Sequence, residues 1–173
     1  MMDLSTSDFE LFGLPQRFDQ ERAEVDARWK ELQREAHPDK FAAQGAAAQR
    51  IALQWSVRIN EAYQRLKDPL KRAEYLCELL GAPIEKHSNT AMPGEFLLEQ
   101  MDWREALEEA DSGDELDSLT DRVMQRRREM LERIHALLDV ENDPQGAAQQ
   151  VRALMFVERF AGDIEARLAQ LGQ

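Results

Sequence analysis

The chain has 173 residues, 43% of them hydrophobic and 32% charged, a balance that fits a folded, helix-rich protein and excludes a disordered one. No apolar run approaches the length needed to span a bilayer, and Cys77 is the only cysteine, which excludes an intramolecular disulfide. The net charge of −12 is uneven: residues 1–80 carry 12 Lys and Arg against 14 Asp and Glu, and residues 81–173 carry 10 against 20. A second half this acidic argues against nucleic acid as its partner and favours a protein with a basic or polar patch.

Met1 to Glu10 is acidic and polar. It lacks the basic start and apolar stretch of a secretory signal and the Arg-rich character of a mitochondrial presequence, so the cytoplasm is the expected location. Asp8 to Phe12 reads as a short helix stopped by Gly13 and Pro15. Asp19 is the expected N-cap of a second helix, which runs to Ala36 with Val25, Trp29, Leu32 and Ala36 at helical spacing. His37-Pro38-Asp39-Lys40 follows. Proline keeps the residue before it extended, so the helix stops at or before His37. A third helix, Gln44 to Lys67, carries Ile51, Trp55, Ile59, Ala62 and Leu66 on one stripe. The two long segments form a hairpin with the tetrapeptide at its tip, and Trp29 and Trp55 are expected in its core. Pro69 marks a kink or the first turn of a further helix, Leu70 to Leu80, which Gly81 ends.

Ala82 to Pro93 holds two prolines and the polar string Lys86-His87-Ser88-Asn89-Thr90, the expected linker. Three more helices follow. Glu95 to Ala110 is broken by Asp111-Ser112-Gly113-Asp114. Glu115 to Leu138 carries Leu116, Leu119, Val123, Met130, Ile134 and Leu137, and is broken at Asp143-Pro144 and Gly146. Ala147 to Leu171 carries Val151, Leu154, Val157, Ala161, Ile164, Leu168 and Leu171. Strand-like alternation is absent. The expected fold is all-α: a helical hairpin followed by an antiparallel three-helix bundle, each helix burying one face.

The tip crowds three ionisable side chains that folding does not demand, and loops are where function concentrates. Acid–base catalysis by His37 and Asp39 is poorly supported, because no Ser or Cys nucleophile lies near in sequence and no Gly-rich phosphate loop occurs. His37, His87 and His135 fall in three different segments and Cys77 stands alone, so no metal-ligand spacing exists and no cofactor is expected. Recognition fits better. Asp39 on a tight exposed turn can offer its carboxylate to an arginine, and Pro38 limits the freedom lost on binding. In the second half, Phe96, Trp103, Leu107 and Ala110 form a core seam, while Leu97, Leu98 and Met101 lie on an adjoining face that continues into Asp102, Glu105 and Glu109. Phe156 lies off the seam of its own helix. Periodicity alone leaves two readings of these positions, a wide core stripe or an exposed binding surface.

Several separated motifs make the first 80 residues resemble a J-domain. They are Asp8-Phe9-Glu10-Leu11-Phe12-Gly13-Leu14-Pro15, the His37-Pro38-Asp39 tripeptide, Ile59-Asn60-Glu61-Ala62-Tyr63 running to Asp68-Pro69, and Lys71-Arg72-Ala73-Glu74-Tyr75. The resemblance implies that the tripeptide contacts an ATP-bound chaperone of the DnaK class and stimulates its ATPase. The basic face of the preceding helix then docks on that chaperone. Arg28, Lys30 and Arg34 are the candidates, with Lys40 extending the patch. Glu24, Asp26, Glu31 and Glu35 are interleaved, so an ordinary solvated face is the alternative.

The chain has neither a Gly/Phe-rich linker nor CxxCxGxG repeats. Phe96 to Glu109, Val151-Arg152-Ala153-Leu154-Met155-Phe156, Leu11 to Pro15 and Pro69 to Leu76 together resemble the HscB-type co-chaperones of iron–sulfur cluster assembly along essentially the whole chain. That resemblance implies a non-enzymatic adaptor: residues 1–80 as J-domain, 81–93 as linker, and 94–173 as a bundle that binds the scaffold IscU. The scaffold-binding residues it implies are Leu97, Leu98, Met101, Asp102, Glu105, Glu109 and Phe156. The chain departs from the family pattern mildly, with Asp102 where Glu is common and Ala106 where a charge is common. A J-protein serving a different client through the acidic bundle is the alternative.

Overall fold

The computed structural model describes residues 3–85 and 91–172. The string Lys86 to Thr90 lies outside the described residues. Within them all regular structure is helical: α1 (Asp8–Phe12), α2 (Arg22–Ala36), a 3-10 turn (Pro38–Gln44), α3 (Ala46–Lys67), α4 (Pro69–Leu79), α5 (Gly94–Glu109), α6 (Gly113–His135), a π turn (Ala136–Val140) and α7 (Pro144–Leu171). The chain divides into two compact units, Met1–Leu76 and Cys77–Gln173.

In the first unit α2 and α3 form an antiparallel hairpin. Arg22 reaches the Lys67 carbonyl, Trp29 donates its indole N–H to Asn60 at 2.9 Å, and the Gln33 amide exchanges hydrogen bonds with Ser56. Partners retreat along α3 as they advance along α2. Val25, Ala52, Ile59, Ala62 and Leu66 fill the seam, with Phe9, Leu11, Phe12 and Leu14 of the α1 region closing it. α1 is capped by Ser7, whose hydroxyl accepts the Glu10 N–H at 3.2 Å, and ends at Gly13, which adopts φ +64 where a side chain would be strained. Arg72 of α4 is buried and donates to the carbonyls of Phe18 and Leu66, both at 2.6 Å.

The structure departs from the sequence expectations at several points. Asp19 does not cap α2. The Gln20 amide bonds back to the carbonyls of Pro15 and Arg17, which prolongs the turn, and the N-cap is Glu21 without a side-chain bond. α3 starts at Ala46 rather than Gln44, because Gly45 at φ +100 separates it from the 3-10 turn. Trp29 and Trp55 are half-buried rather than in the core. Trp29 stacks on Tyr63, ring centroids 4.6 Å apart. Ile51, placed on the core stripe by its spacing, is 56% exposed. Pro69 is the first residue of α4.

The second unit holds α5, α6 and α7. The core positions read on α6, Leu116, Leu119, Val123, Met130, Ile134 and Leu137, are all buried. α6 gives way at Ala136 to the π turn, where Glu141 N–H bonds to the Ala136 carbonyl at 2.8 Å. The wider turn shifts the helical phase and lets the adjacent Leu137 and Leu138 both be buried. α7 begins at Pro144 rather than Ala147: Asp143 caps it through the Gly146 N–H at 3.0 Å, and a proline at the first position sacrifices no helical bond. Gly146 therefore lies inside the helix. α5 runs alongside α7 through four rings. Phe96 meets Trp103 and Phe156 edge-on at 5.7 and 5.8 Å, Trp103 stacks on Phe160 at 5.6 Å, and Phe156 on Phe160 at 6.0 Å. Phe160 is buried although it lies outside the seam that the spacing predicts.

Candidate functional site

Two surfaces carry the sequence candidates, one in each unit. At the hairpin tip, His37 takes an extended conformation (φ −62, ψ 128) as the residue before a proline must. Its Nδ1 accepts the Asp39 backbone N–H at 3.2 Å, and its carbonyl accepts the Lys40 N–H at 3.0 Å. An acceptor at Nδ1 places the neutral ring's proton on Nε2. Pro38 opens the 3-10 turn, where its missing N–H costs nothing. The turn is thus braced from both sides while the Asp39 side chain is 92% exposed, with His37 Nδ1 3.7 Å from its Oδ2. An exposed carboxylate carried on a braced backbone can be taken up by an arginine with little ordering cost in the main chain.

The cations behind the tip differ in their surroundings. Arg28 approaches Glu31 at 3.8 Å. Lys30, Arg34 and Lys40 are exposed, and among the described residues Arg34 and Lys40 form no ion pair. Asp26, one of the interleaved acids, is occupied: Arg22 lies 2.9 Å away and the Tyr63 hydroxyl donates to it at 2.7 Å. The Tyr63 hydrogen bond, and then the one from Arg22, hold its carboxyl below the usual value.

On α5, Leu97, Leu98 and Met101 are 51%, 69% and 67% exposed, whereas Phe96 and Trp103 are buried. Leu97 and Met101 are one helical turn apart. Leu98, Asp102, Glu105 and Glu109 continue as an adjoining stripe, its acids all exposed. Glu105 and Glu109 stand towards the C-terminal end of α5, whose last turn holds no basic residue. Carboxylates there oppose the helix dipole and cost a few tenths of a kcal/mol, so helix stability does not account for them. Phe156 is not on an outer face. It is half-buried, between Phe96 and Phe160, with the Arg104 guanidinium 5.3 Å from its ring centroid. Its exposed edge still borders an α5 surface, but most of its contacts are internal. Arg104 stands seven residues after Leu97, a spacing that places both on one side of α5. Among the described residues no group of His, Cys, Asp and Glu side chains could hold a metal ion, and no helix is long and apolar enough to cross a membrane.

A sequence model described as the HSCB C-terminal oligomerisation domain matches residues 92–165. The chain is 47% identical over 174 residues to a co-chaperone protein HscB homolog of Burkholderia thailandensis, covering 99% of both chains. It is 48% identical to the homolog of Burkholderia mallei over the same share of each. Among solved structures, chaperone HscB from Vibrio cholerae is similar with a TM-score of 0.81 and 35% identity, over 96% of this chain and 99% of that one. The crystal structure of human co-chaperone protein HscB is similar with a TM-score of 0.87 and 25% identity, over 95% of this chain and 83% of that one.

Proposed function

The chain belongs to the HscB family of co-chaperones, and from that premise we propose that it stimulates the ATPase of an HscA/DnaK-class chaperone and delivers an IscU-type iron–sulfur scaffold to it. Residues 1–80 act as the J-domain and residues 94–173 as the scaffold-binding bundle, in the cytoplasm. The protein is an adaptor that performs no chemistry of its own. The observation that carries the reading is the pairing of two exposed surfaces on two compact units. One is the braced turn that presents Asp39. The other is the patch of Leu97, Leu98 and Met101 running into carboxylates.

Each surface suits a different partner. The Asp39 carboxylate seeks a guanidinium on the chaperone, and Arg28, Lys30, Arg34 and Lys40 seek an acidic surface beside it. The α5 face asks for apolar groups rimmed by cations on the scaffold. Holding both partners on one chain raises the concentration of scaffold at the chaperone's substrate site without any new contact. ATP hydrolysis then traps the scaffold on the chaperone.

Single-turnover ATP hydrolysis by an HscA-type chaperone tests this, with and without the protein and with and without IscU. The protein alone should accelerate hydrolysis, and scaffold together with the protein should accelerate it further than either does separately. Stimulation that ignores the scaffold, with no scaffold captured in a pull-down, would instead favour a J-protein serving another client.

A further inference from the structure

The chain that leads into α5 is held by a side chain of α7. Arg152 is only 6% exposed. Its Nε donates to the Ile84 carbonyl at 3.0 Å and its Nη1 to the Ala91 carbonyl at 3.1 Å. Among the described residues no carboxylate pairs with it, and the intervening Lys86-His87-Ser88-Asn89-Thr90 contains none. A guanidinium taken out of water without a counter-ion is costly unless its donors are used. An apolar side chain would fill the same space without that cost. What an apolar side chain could not do is grip two carbonyls on either side of residues 85–90.

α5 needs such a grip. Its N-cap is Pro93, which offers no side-chain acceptor, and its first residue is Gly94. Both leave the opening turn prone to fray. Leu97 and Leu98 follow directly. The ties on this stretch include buried Phe96, Arg152 at Ala91 and a contact from the Gln100 amide to the Met92 sulfur at 3.4 Å.

We infer that Arg152 is a positioning residue for the α5 surface: by fixing the chain at Ala91 it sets where α5 begins, and so where Leu97, Leu98 and Met101 stand. The inference rests on the reading of that surface as the scaffold site. A binding face assembled for only a fraction of the time loses apparent affinity in the same proportion.

The test uses the full chain with Arg152→Met, which keeps the apolar stem and removes the donors. Hydrogen exchange is followed at the α5 amides and at the α7 amides, together with affinity for apo IscU and stimulation of the chaperone without scaffold. Exchange at Phe96–Met101 should rise about tenfold with Val151–Phe160 unchanged, scaffold affinity should fall about tenfold, and stimulation should hold. Adding Gly94→Ala, whose new Cβ meets nothing within 4 Å, should recover part of the affinity by favouring the helix. If Arg152→Met fails to fold, Arg152→Lys keeps the charge but cannot span both carbonyls, and should loosen α5 selectively. Unchanged exchange in α5, or an equal rise in α7, overturns the positioning role whatever the scaffold does. A wild-type protein that ignores IscU overturns the scaffold reading instead, and the exchange data still decide what Arg152 does.

Discussion

Asp8 and Arg65, 57 residues apart, meet as a bidentate pair with Nε–Oδ2 2.6 Å and Nη2–Oδ1 2.8 Å, and Asp8 is wholly buried. Arg58 adds a third contact to Asp8 at 2.8 Å while gripping the carbonyls of Leu4 and Thr6. The Asp8 N–H donates to the Tyr75 hydroxyl at 2.9 Å. The Asp8 carboxylate thus ties α1 to α3, and its backbone N–H ties α1 to α4. A five-residue helix has no stability of its own, so this cluster and the burial of Phe9 and Phe12 must hold it.

Asp8→Ala should destabilise the first unit by about 3–5 kcal/mol, because it strands two arginine head groups beside an emptied buried site. Chemical denaturation followed by tryptophan fluorescence measures it. A loss under about 1 kcal/mol would mean that the pair contributes no more than an exposed one.

Asp39→Asn should abolish ATPase stimulation and leave stability within about 0.5 kcal/mol of wild type. The side chain is 92% exposed, and surface substitutions away from packing or caps change little. The backbone N–H that His37 accepts is retained, so the turn survives. Partner ATPase and thermal unfolding are measured together. A folded variant that stimulates fully would remove Asp39 from the recognition site.

The α5 residues and Phe156 should separate in their effects. Leu97→Ala, Leu98→Ala and Met101→Ala together should abolish IscU capture with little change in unfolding midpoint, since all three are more than half exposed. Anchors of this kind cost about 1–2 kcal/mol each on truncation. Phe156→Ala should weaken capture and also destabilise the bundle by about 2 kcal/mol, because it removes ring contacts to Phe96 and Phe160. Equal stability of the two variants would mean that Phe156 is an external anchor after all.

Asp26 sets an acid limit. Its carboxyl is held below 3.8, its ordinary value, first by the Tyr63 hydroxyl and then by Arg22. A carboxylate lowered in the folded state stabilises it above the unfolded value, and that contribution is lost as pH falls through the folded value. Stability should therefore decline on acidification from about pH 4 downward, and Asp26→Asn should flatten that part of the profile. Denaturation midpoints across acid pH check this. An unchanged slope in Asp26→Asn would assign the acid response to other carboxylates.

The sequence by itself determined the local features: helix α1 with its stop at Gly13, the break at His37-Pro38, and the α6 core positions. Each follows from dihedral limits of proline and glycine or from the 3.6-residue period, which act within one segment. It also offered Leu97, Leu98 and Met101 as an adjoining face, but could not choose between a wide stripe and an open surface. Tertiary structure decided that, because exposure depends on which helix lies opposite. The same reason covers Phe156, read as off the seam when α7 is judged by its own stripe. With both α5 and α6 against α7, the buried arc widens to include Phe156 in part and Phe160 entirely. Asp8 and Arg152 were the least legible. A buried charge is tolerable only through partners far along the chain, Arg65 for one and the carbonyls of Ile84 and Ala91 for the other, and no local pattern announces such partners.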